Sequence, residues 1–189
     1  AIGVELAKFY STLGTKITLV EYMPNVLPAT DIDVSRYMER MLKKANIEVL
    51  TNSQVINVET KNDNTKVTIK SADQEITKEA EIVLLSVGIA PNTDNIGLEE
   101  LGIKTNKGFI IVDEYYKTNI EGIFAIGDVI PTPALAHVAS AEAITCVEKI
   151  AGLDIKPLNY NAVPSCIFTS PEIASVGLTE KQATEQGIV

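Results

Sequence analysis

The sequence predicts an α/β protein built on a parallel sheet, with an antiparallel meander inserted into it and a different, strand-rich unit at its end. Three observations predict this. A helical stretch runs directly into a β-branched segment, and the same helix-to-strand order then repeats. Short alternating segments interrupt that rhythm, and a continuous apolar run, Ile82 to Val87, resumes it.

The elements follow in order. Ile2, Leu6, Tyr10 and Leu13 recur at three- and four-residue steps and Gly14 follows them, which predicts a helix from Gly3 to Leu13. Residues 17–21, ITLVE, read as a buried strand ending in an acid. Asp31 or Asp33 can cap a second helix whose apolar side carries Tyr37, Met38, Met41, Leu42 and Ala45, and residues 47–50 form the next strand. From Gln54 to Lys70 the pattern alternates around the turn formers Asn62, Asp63 and Asn64, as in a meander. Residues 82–87 then read as a strand covered on both faces, and 109–112 and 123–126 as short apolar strands, the second delivering Asp128 to a loop. A helix from about Leu135 to Ile150, closed by Gly152, leads to Pro157, and Ser165 to Phe168 begins the last unit. Boundaries are expected near Thr118 and Pro157.

A chain of 189 residues can bury one good core or two small ones. The net charge of −9, with no basic stripe, argues against nucleic acid and against anionic membrane as partners. No apolar run approaches the roughly 20 residues that cross a bilayer. The expected location is cytoplasmic, with a mitochondrial one left open because any leader would precede Ala1. Cys146 and Cys166 have neither CxxC spacing nor histidine partners, so two buried free thiols and no metal site are expected.

Gly3 opens a helix, and Glu21 ends the following strand eighteen positions later, the spacing of the back half of a dinucleotide-binding fingerprint. A glycine there lets helix and strand pack closely, the helix start offers N–H groups to a pyrophosphate, and the strand-end carboxylate can accept from a ribose hydroxyl. A helix-start glycine with a surface glutamate gives the same pattern.

Residues 118–129, TNIEGIFAIGDV, closely resemble the second FAD-binding motif of the pyridine nucleotide-disulfide oxidoreductases. The resemblance implies that Asp128 bonds a ribityl hydroxyl of FAD and that Gly127 lets the backbone approach it. Residues 87–93, VGIAPNT, resemble the family's V-G-R-x-P-N-T segment, which runs from Gly88 past the nicotinamide. Ile89 stands where many members have Arg. Residues 135–143, LAHVASAEA, are similar to the L-A-H-x-A-x-x-E-G stretch of the dihydrolipoamide dehydrogenases, with Ala143 in place of the usual Gly. This implies that Leu135, Ala136 and His137 begin a helix aimed at the flavin, where its dipole favours negative charge. The family's proton-transferring histidine sits in an H-P-T-x-S-E motif that residues 1–189 lack, so His137 reads as a flavin-site or helix-start residue. Glu5 matches the acid that, in the family, pairs with a lysine near flavin N5, and a first-turn glutamate favouring the helix dipole explains it equally well. Residues 163–172 and 176–180 resemble the opening of the dimerisation domain.

What the resemblance implies is a Rossmann-like NAD-binding domain over 1–117, an FAD-domain segment over 118–156, and the start of an α+β dimerisation domain over 157–189. The activity implied is dihydrolipoamide:NAD⁺ oxidation through a redox-active disulfide and FAD, in a homodimer that meets dihydrolipoamide or the lipoyl domain of a 2-oxoacid dehydrogenase complex. The disulfide and the base lie outside these residues, so the chain alone is expected to be inactive. The alternatives are another NADH-dependent flavoprotein disulfide reductase, or a catalytically silent dinucleotide-binding module.

Overall fold

Helix α1 (Ile2–Thr12) leads through Gly14 into strand β1 (Thr18–Val20), and helix α2 (Ile32–Lys44) then leads into β2 (Glu48–Leu50). The two strands pair in parallel, Thr18 opposite Glu48 and Val20 opposite Leu50. This is the helix–strand repeat expected from the sequence. Asp31 is the cap of α2, accepting from the Asp33 amide at 3.1 Å. The computed structural model describes residues 1–62, 64–72 and 74–188. They divide into a first unit, residues 1–87 with 164 onward, and a second unit, 88–163.

In the first unit Val4 and Ala7 of α1, Met38 and Leu42 of α2, and Ile47 form one core with Ile167. Met38 and Leu42 are each 1% exposed, a burial that contributes roughly 1.5 to 3 kcal/mol per side chain. The buried face of α1 is not the predicted one: Ile2, Tyr10 and Leu13 are exposed, and the small residues Val4 and Ala7 face inward. A helix pressed close to its sheet has room only for small side chains there. Tyr37 of α2 is exposed too, with Arg40 over its ring at 5.8 Å.

Strands β3 (Ser53–Lys61), β4 (Asn64–Ser71) and β5 (Gln74–Ala80) form the antiparallel meander in that order. Central β4 buries Thr65, Val67 and Ile69 on alternate positions. Of the predicted turn, Asn62 and Asn64 flank Asp63, which lies outside the described residues. Strand β5 was not expected, since Ile76 is its one large apolar residue. Its pairing with β4 creates it.

Residues 82–87 are a correction. They form no strand, and Ile82, Leu85 and Val87 are 83%, 78% and 85% exposed. Among the described residues no strand lies beside them to take their backbone hydrogen bonds, and an apolar run without a paired neighbour stays irregular.

The second unit begins with the hairpin β6 (Thr105–Asn106) and β7 (Phe109–Ile110). Residues 123–126, expected as a strand, make a single bridge from Phe124 to Lys117, and Asp128 lies in a 3-10 turn, Gly127–Val129. Ala125 and Ile130 bury here with Tyr116, Ile103, Ile110 and Cys146 of helix α3 (Ala136–Ile150).

Back in the first unit, β8 (Ser165–Ile167) and β9 (Ile173–Ser175) pair antiparallel, and α4 (Glu180–Glu185) follows behind a Thr179–Gln182 capping box. Both thiols are free, yet only Cys146 is buried. Cys166 is exposed because strand alternation turns Ile167, its neighbour, into the core instead.

Lys78 of β5 bonds Glu48 of β2 at 2.6 and 2.9 Å, and Thr18 of β1 adds a third bond at 2.8 Å, tying meander to sheet. The Lys78 and Thr18 bonds hold the Glu48 carboxyl below its ordinary pKa. A carboxyl whose folded pKa lies below its unfolded one adds stability above the unfolded value and loses it as pH falls through the folded value. Glu48→Gln is therefore expected to lower stability by about 0.5 kcal/mol at neutral pH, the scale of an exposed pair, and to be neutral once acid has protonated the wild-type group. Urea unfolding at about pH 7 and about pH 2 checks this.

Candidate functional site

The candidate residues fall into two sets, one in each unit. In the first, Gly3 is the second residue of α1. A Cβ there would stand 3.3 Å from Ser86 Cβ and 3.9 Å from Leu19 Cδ1, so the helix start is packed to the limit against β1 and residue 86. A short connection makes α1 run antiparallel to β1, so the start of α1 and the end of β1 fall on one edge. That edge holds the start of a helix with no side-chain cap, whose Val4 and Glu5 amides turn back to Ala1 O at 2.9 and 3.1 Å, together with Glu21. Glu21 is fixed at the strand end: its amide donates to Leu50 O at 2.8 Å and its carbonyl accepts from Ser53 at 3.0 Å. The Glu21 carboxylate accepts from the Met23 amide at 2.8 Å. Glu5, in the first turn of α1, accepts from the Phe168 amide at 2.7 Å, a bond spanning 163 residues of sequence. Neither sequence explanation of Glu5 anticipated that contact.

In the second unit the chain runs from the 3-10 turn Gly127–Val129 to the start of α3 at Ala136. Gly127 has φ +70°, and a Cβ on it would meet Ala139 Cβ at 3.3 Å. Glycine is needed there for both the backbone angle and the space. The exposed Asp128 follows it in the turn. Leu135 is the N-cap of α3, and Ala136 and His137 are exposed in a first turn that carries no acid. Carboxylate and helix start thus flank the same stretch. Gly88, by contrast, is exposed with nothing within 4 Å of a Cβ, and Ile89 is exposed beside it. Nearby Thr93 is buried and donates to Gly108 O at 2.7 Å, which ties the 88–93 segment to the β6–β7 hairpin.

One group escaped the sequence. Glu142, fully buried, accepts from the Gly127 amide at 2.6 Å and from the Tyr160 hydroxyl at 2.8 Å, and Tyr160 Oη lies 3.2 Å from Tyr116 Oη. Burial, followed by its bonds to Tyr116 and Glu142, pushes the Tyr160 phenol far above its ordinary pKa, and burial raises Tyr116 as well. The signal was present: Val138, Glu142 and Cys146 stand four residues apart and are the buried stripe of α3.

Asp31, Asp33 and Glu180 bring carboxylate oxygens within 4.8 Å of one another in the first unit. Asp31 there accepts from the amides of Asp33 and Glu180, the second at 3.0 Å, and so acts as a cap on two helices.

A profile of the pyridine nucleotide-disulphide oxidoreductases matches residues 1–143, and one of their dimerisation domain matches residues 163–189. Dihydrolipoyl dehydrogenase of Zymomonas mobilis is 42% identical over 189 residues, covering 99% of this chain and 41% of its own length. That of Geobacillus stearothermophilus is 42% identical over 188 residues, covering 99% and 40%. The crystal structure of LpdA from Mycobacterium tuberculosis superposes with a TM-score of 0.89 at 28% identity, over 98% of this chain and 40% of that one. The flavoprotein disulfide reductase RclA from Escherichia coli superposes with a TM-score of 0.87 at 25% identity, over 98% and 42%. The chain thus spans about 40% of the length of the curated relatives it matches. Its mixed α/β fold is that of the flavoprotein disulfide reductases. More particularly, the chain belongs to the pyridine nucleotide-disulphide oxidoreductase family.

The Gly127 geometry gives a direct expectation. Gly127→Ala should destabilise the chain by about 1 to 2 kcal/mol, because a Cβ at that backbone angle is strained and Ala139 must also yield. Thermal melting measures it, and Ala139→Gly should restore only the contact part.

Proposed function

We propose that the chain is the NAD-binding and flavin-proximal portion of a longer dihydrolipoamide:NAD⁺ oxidoreductase, in which electrons pass from a dithiol through a disulfide and FAD to NAD⁺. The observation that carries this is the 42% identity to dihydrolipoyl dehydrogenases along 99% of the chain, taken with a Gly127 turn that packs directly against Ala139 of α3 and presents the exposed Asp128. In this scheme residues 1–117 form the NAD-binding domain, 118–156 belong to the FAD domain, and 157–189 begin the dimerisation domain of a homodimer. Dihydrolipoamide, free or on a lipoyl domain, is the dithiol. No helix among the described residues is long and apolar enough to cross a membrane.

FAD, when bound, supplies the two-electron chemistry between disulfide and nicotinamide, and this chain's residues bind and orient. The α1 amides beside Gly3 would receive the NAD pyrophosphate, and Glu21, on the same edge, its ribose hydroxyls. Asp128 would accept from a flavin ribityl hydroxyl. The start of α3 at Leu135, Ala136 and His137, free of acids in its first turn, would favour negative charge on the flavin ring. Glu5 would support the region of flavin N5 through a lysine of the longer protein, and Gly88 would pass near the nicotinamide. Leghemoglobin reductase of Glycine max, 36% identical over 99% of the chain, supports reduction of another acceptor as the second possibility. The ratio of turnover with dihydrolipoamide to turnover with haem-protein acceptors separates the two.

A carboxylate that holds a ribose 2′-hydroxyl repels a 2′-phosphate. The longer protein should therefore prefer NAD⁺ to NADP⁺ in kcat/KM, and Glu21→Arg should move that ratio toward NADP⁺. Equal use of both cofactors by the unaltered protein contradicts the role given to Glu21.

A further inference from the structure

We infer that Glu142 is a positioning residue for the Gly127–Asp128 turn, acting through the Gly127 amide and itself held by the Tyr160 hydroxyl. The inference rests on the proposed assignment of Asp128 to a flavin hydroxyl, and extends it to residues that do not touch the cofactor.

The bonds form a closed path. Glu142 Oε2 accepts from Gly127 N at 2.6 Å and Oε1 accepts from Tyr160 Oη at 2.8 Å. Tyr160 Oη meets Tyr116 Oη at 3.2 Å, and the Tyr116 carbonyl accepts from the Ala125 amide at 3.0 Å. The path therefore leaves the chain at Gly127 and returns two residues earlier. Tyr116 is 2% exposed and Glu142 0%, so at their ends of these bonds water has little access.

The position of Glu142 argues for a specific task. Four residues either side of it on α3, Val138 and Cys146 are buried, and for stability alone an apolar side chain belongs between them, because a buried carboxyl is unfavourable without partners. Its two oxygens meet two donors. One of those donors is the amide immediately preceding Asp128, in a turn whose backbone angle at Gly127 is open to few residues. Holding that amide fixes the peptide plane from which the Asp128 side chain springs. Tyr160 keeps its proton, since burial raises its pKa, and so remains a donor to Glu142. It lies in the 3-10 turn Tyr160–Ala162, just ahead of residue 163, where the dimerisation-domain match begins. The link thus runs from that connector to the turn beside Asp128.

The test uses the longer holoprotein that contains this chain. Glu142→Met keeps the volume and removes both acceptors. Glu142→Gln keeps an acceptor for Gly127 and turns a donor toward Tyr160. Tyr160→Phe cuts one bond. Each is made alone and with Asp128→Ala, and the readouts are the FAD dissociation constant, from flavin fluorescence on release, and the visible circular dichroism of bound flavin. Asp128→Ala and Glu142→Met should each weaken FAD roughly tenfold, the scale of one lost hydrogen bond to a charged group. Glu142→Gln should stay within about threefold of the parent with its flavin dichroism retained, and Tyr160→Phe should shift both readouts in the direction of Glu142→Met. In the Asp128→Ala background, Glu142→Met should add less than about twofold, because groups acting as one unit are not additive. Additive losses, or flavin affinity unchanged by Glu142→Met, overturn the inference while leaving Asp128 in place. Unchanged affinity in Asp128→Ala alone removes the flavin assignment of the turn, and the inference with it. If Glu142→Met does not fold, the same cycle with Tyr160→Phe decides, non-additivity supporting the inference and additivity overturning it.

Discussion

Backbone amides in irregular chain must find acceptors, and in this protein side-chain oxygens supply many of them. Outside the meander the strands are two or three residues long, so ladders satisfy few backbone groups and the connections must be tied down individually. Glu142 takes the Gly127 amide, Glu5 that of Phe168, Asp31 those of Asp33 and Glu180, and Asp113 those of Tyr115 and Lys117. Asn119 does the same for Lys104, and its own amide reaches back to the Gly102 carbonyl. Part of an acidic surplus that gives the chain a net charge of −9 is thus structural. Two of these bonds join segments about 150 or more residues apart in sequence, and both lie in the first unit, where they anchor residues 164 onward to α1 and α2.

Elements with their own local signal were legible in the sequence. Helix α2 announced itself by Asp31 ahead of the Met38–Leu42 pair, and α3 by a periodic stretch running from Leu135 to Gly152. The parallel order of β1 and β2 followed from the helix between them. What failed was whatever depends on a neighbour. Strand β5, QEITKEA, is polar in itself and becomes a strand because β4 offers it seven paired positions. Residues 82–87 carry the strongest strand composition in the chain and form none, because composition cannot provide the adjacent strand. The inward face of α1 was misassigned because Gly3 sets how close the helix lies, and closeness selects Val4 and Ala7 over bulkier residues.

The candidate site divides along the same line. Gly3, Glu21, Gly127 and Asp128 could be named from spacing and motif, since each sits at the end of an element and is fixed by the short path of the chain. The Glu142–Tyr160–Tyr116 path could not be assembled that way, because 18 residues separate Glu142 from Tyr160 and 44 separate Tyr116 from Tyr160. Only the buried stripe on α3 hinted that a carboxyl was turned inward. Placed as it is, Glu142 makes the geometry of an exposed aspartate depend on a group with no access to solvent, which is how a short turn without regular structure can present a carboxylate in one orientation.

The central claim is that these elements serve a flavin standing between a dithiol and a nicotinamide. Anaerobic titration of the longer protein tests it most directly: dihydrolipoamide is added in stoichiometric steps while the visible flavin absorbance is followed, and NAD⁺ is then supplied. Loss of the oxidised flavin spectrum with dihydrolipoamide, and its return with formation of NADH on adding NAD⁺, is the result the account predicts. A protein that carries no flavin, or a bound flavin whose spectrum dihydrolipoamide leaves unchanged, would contradict it.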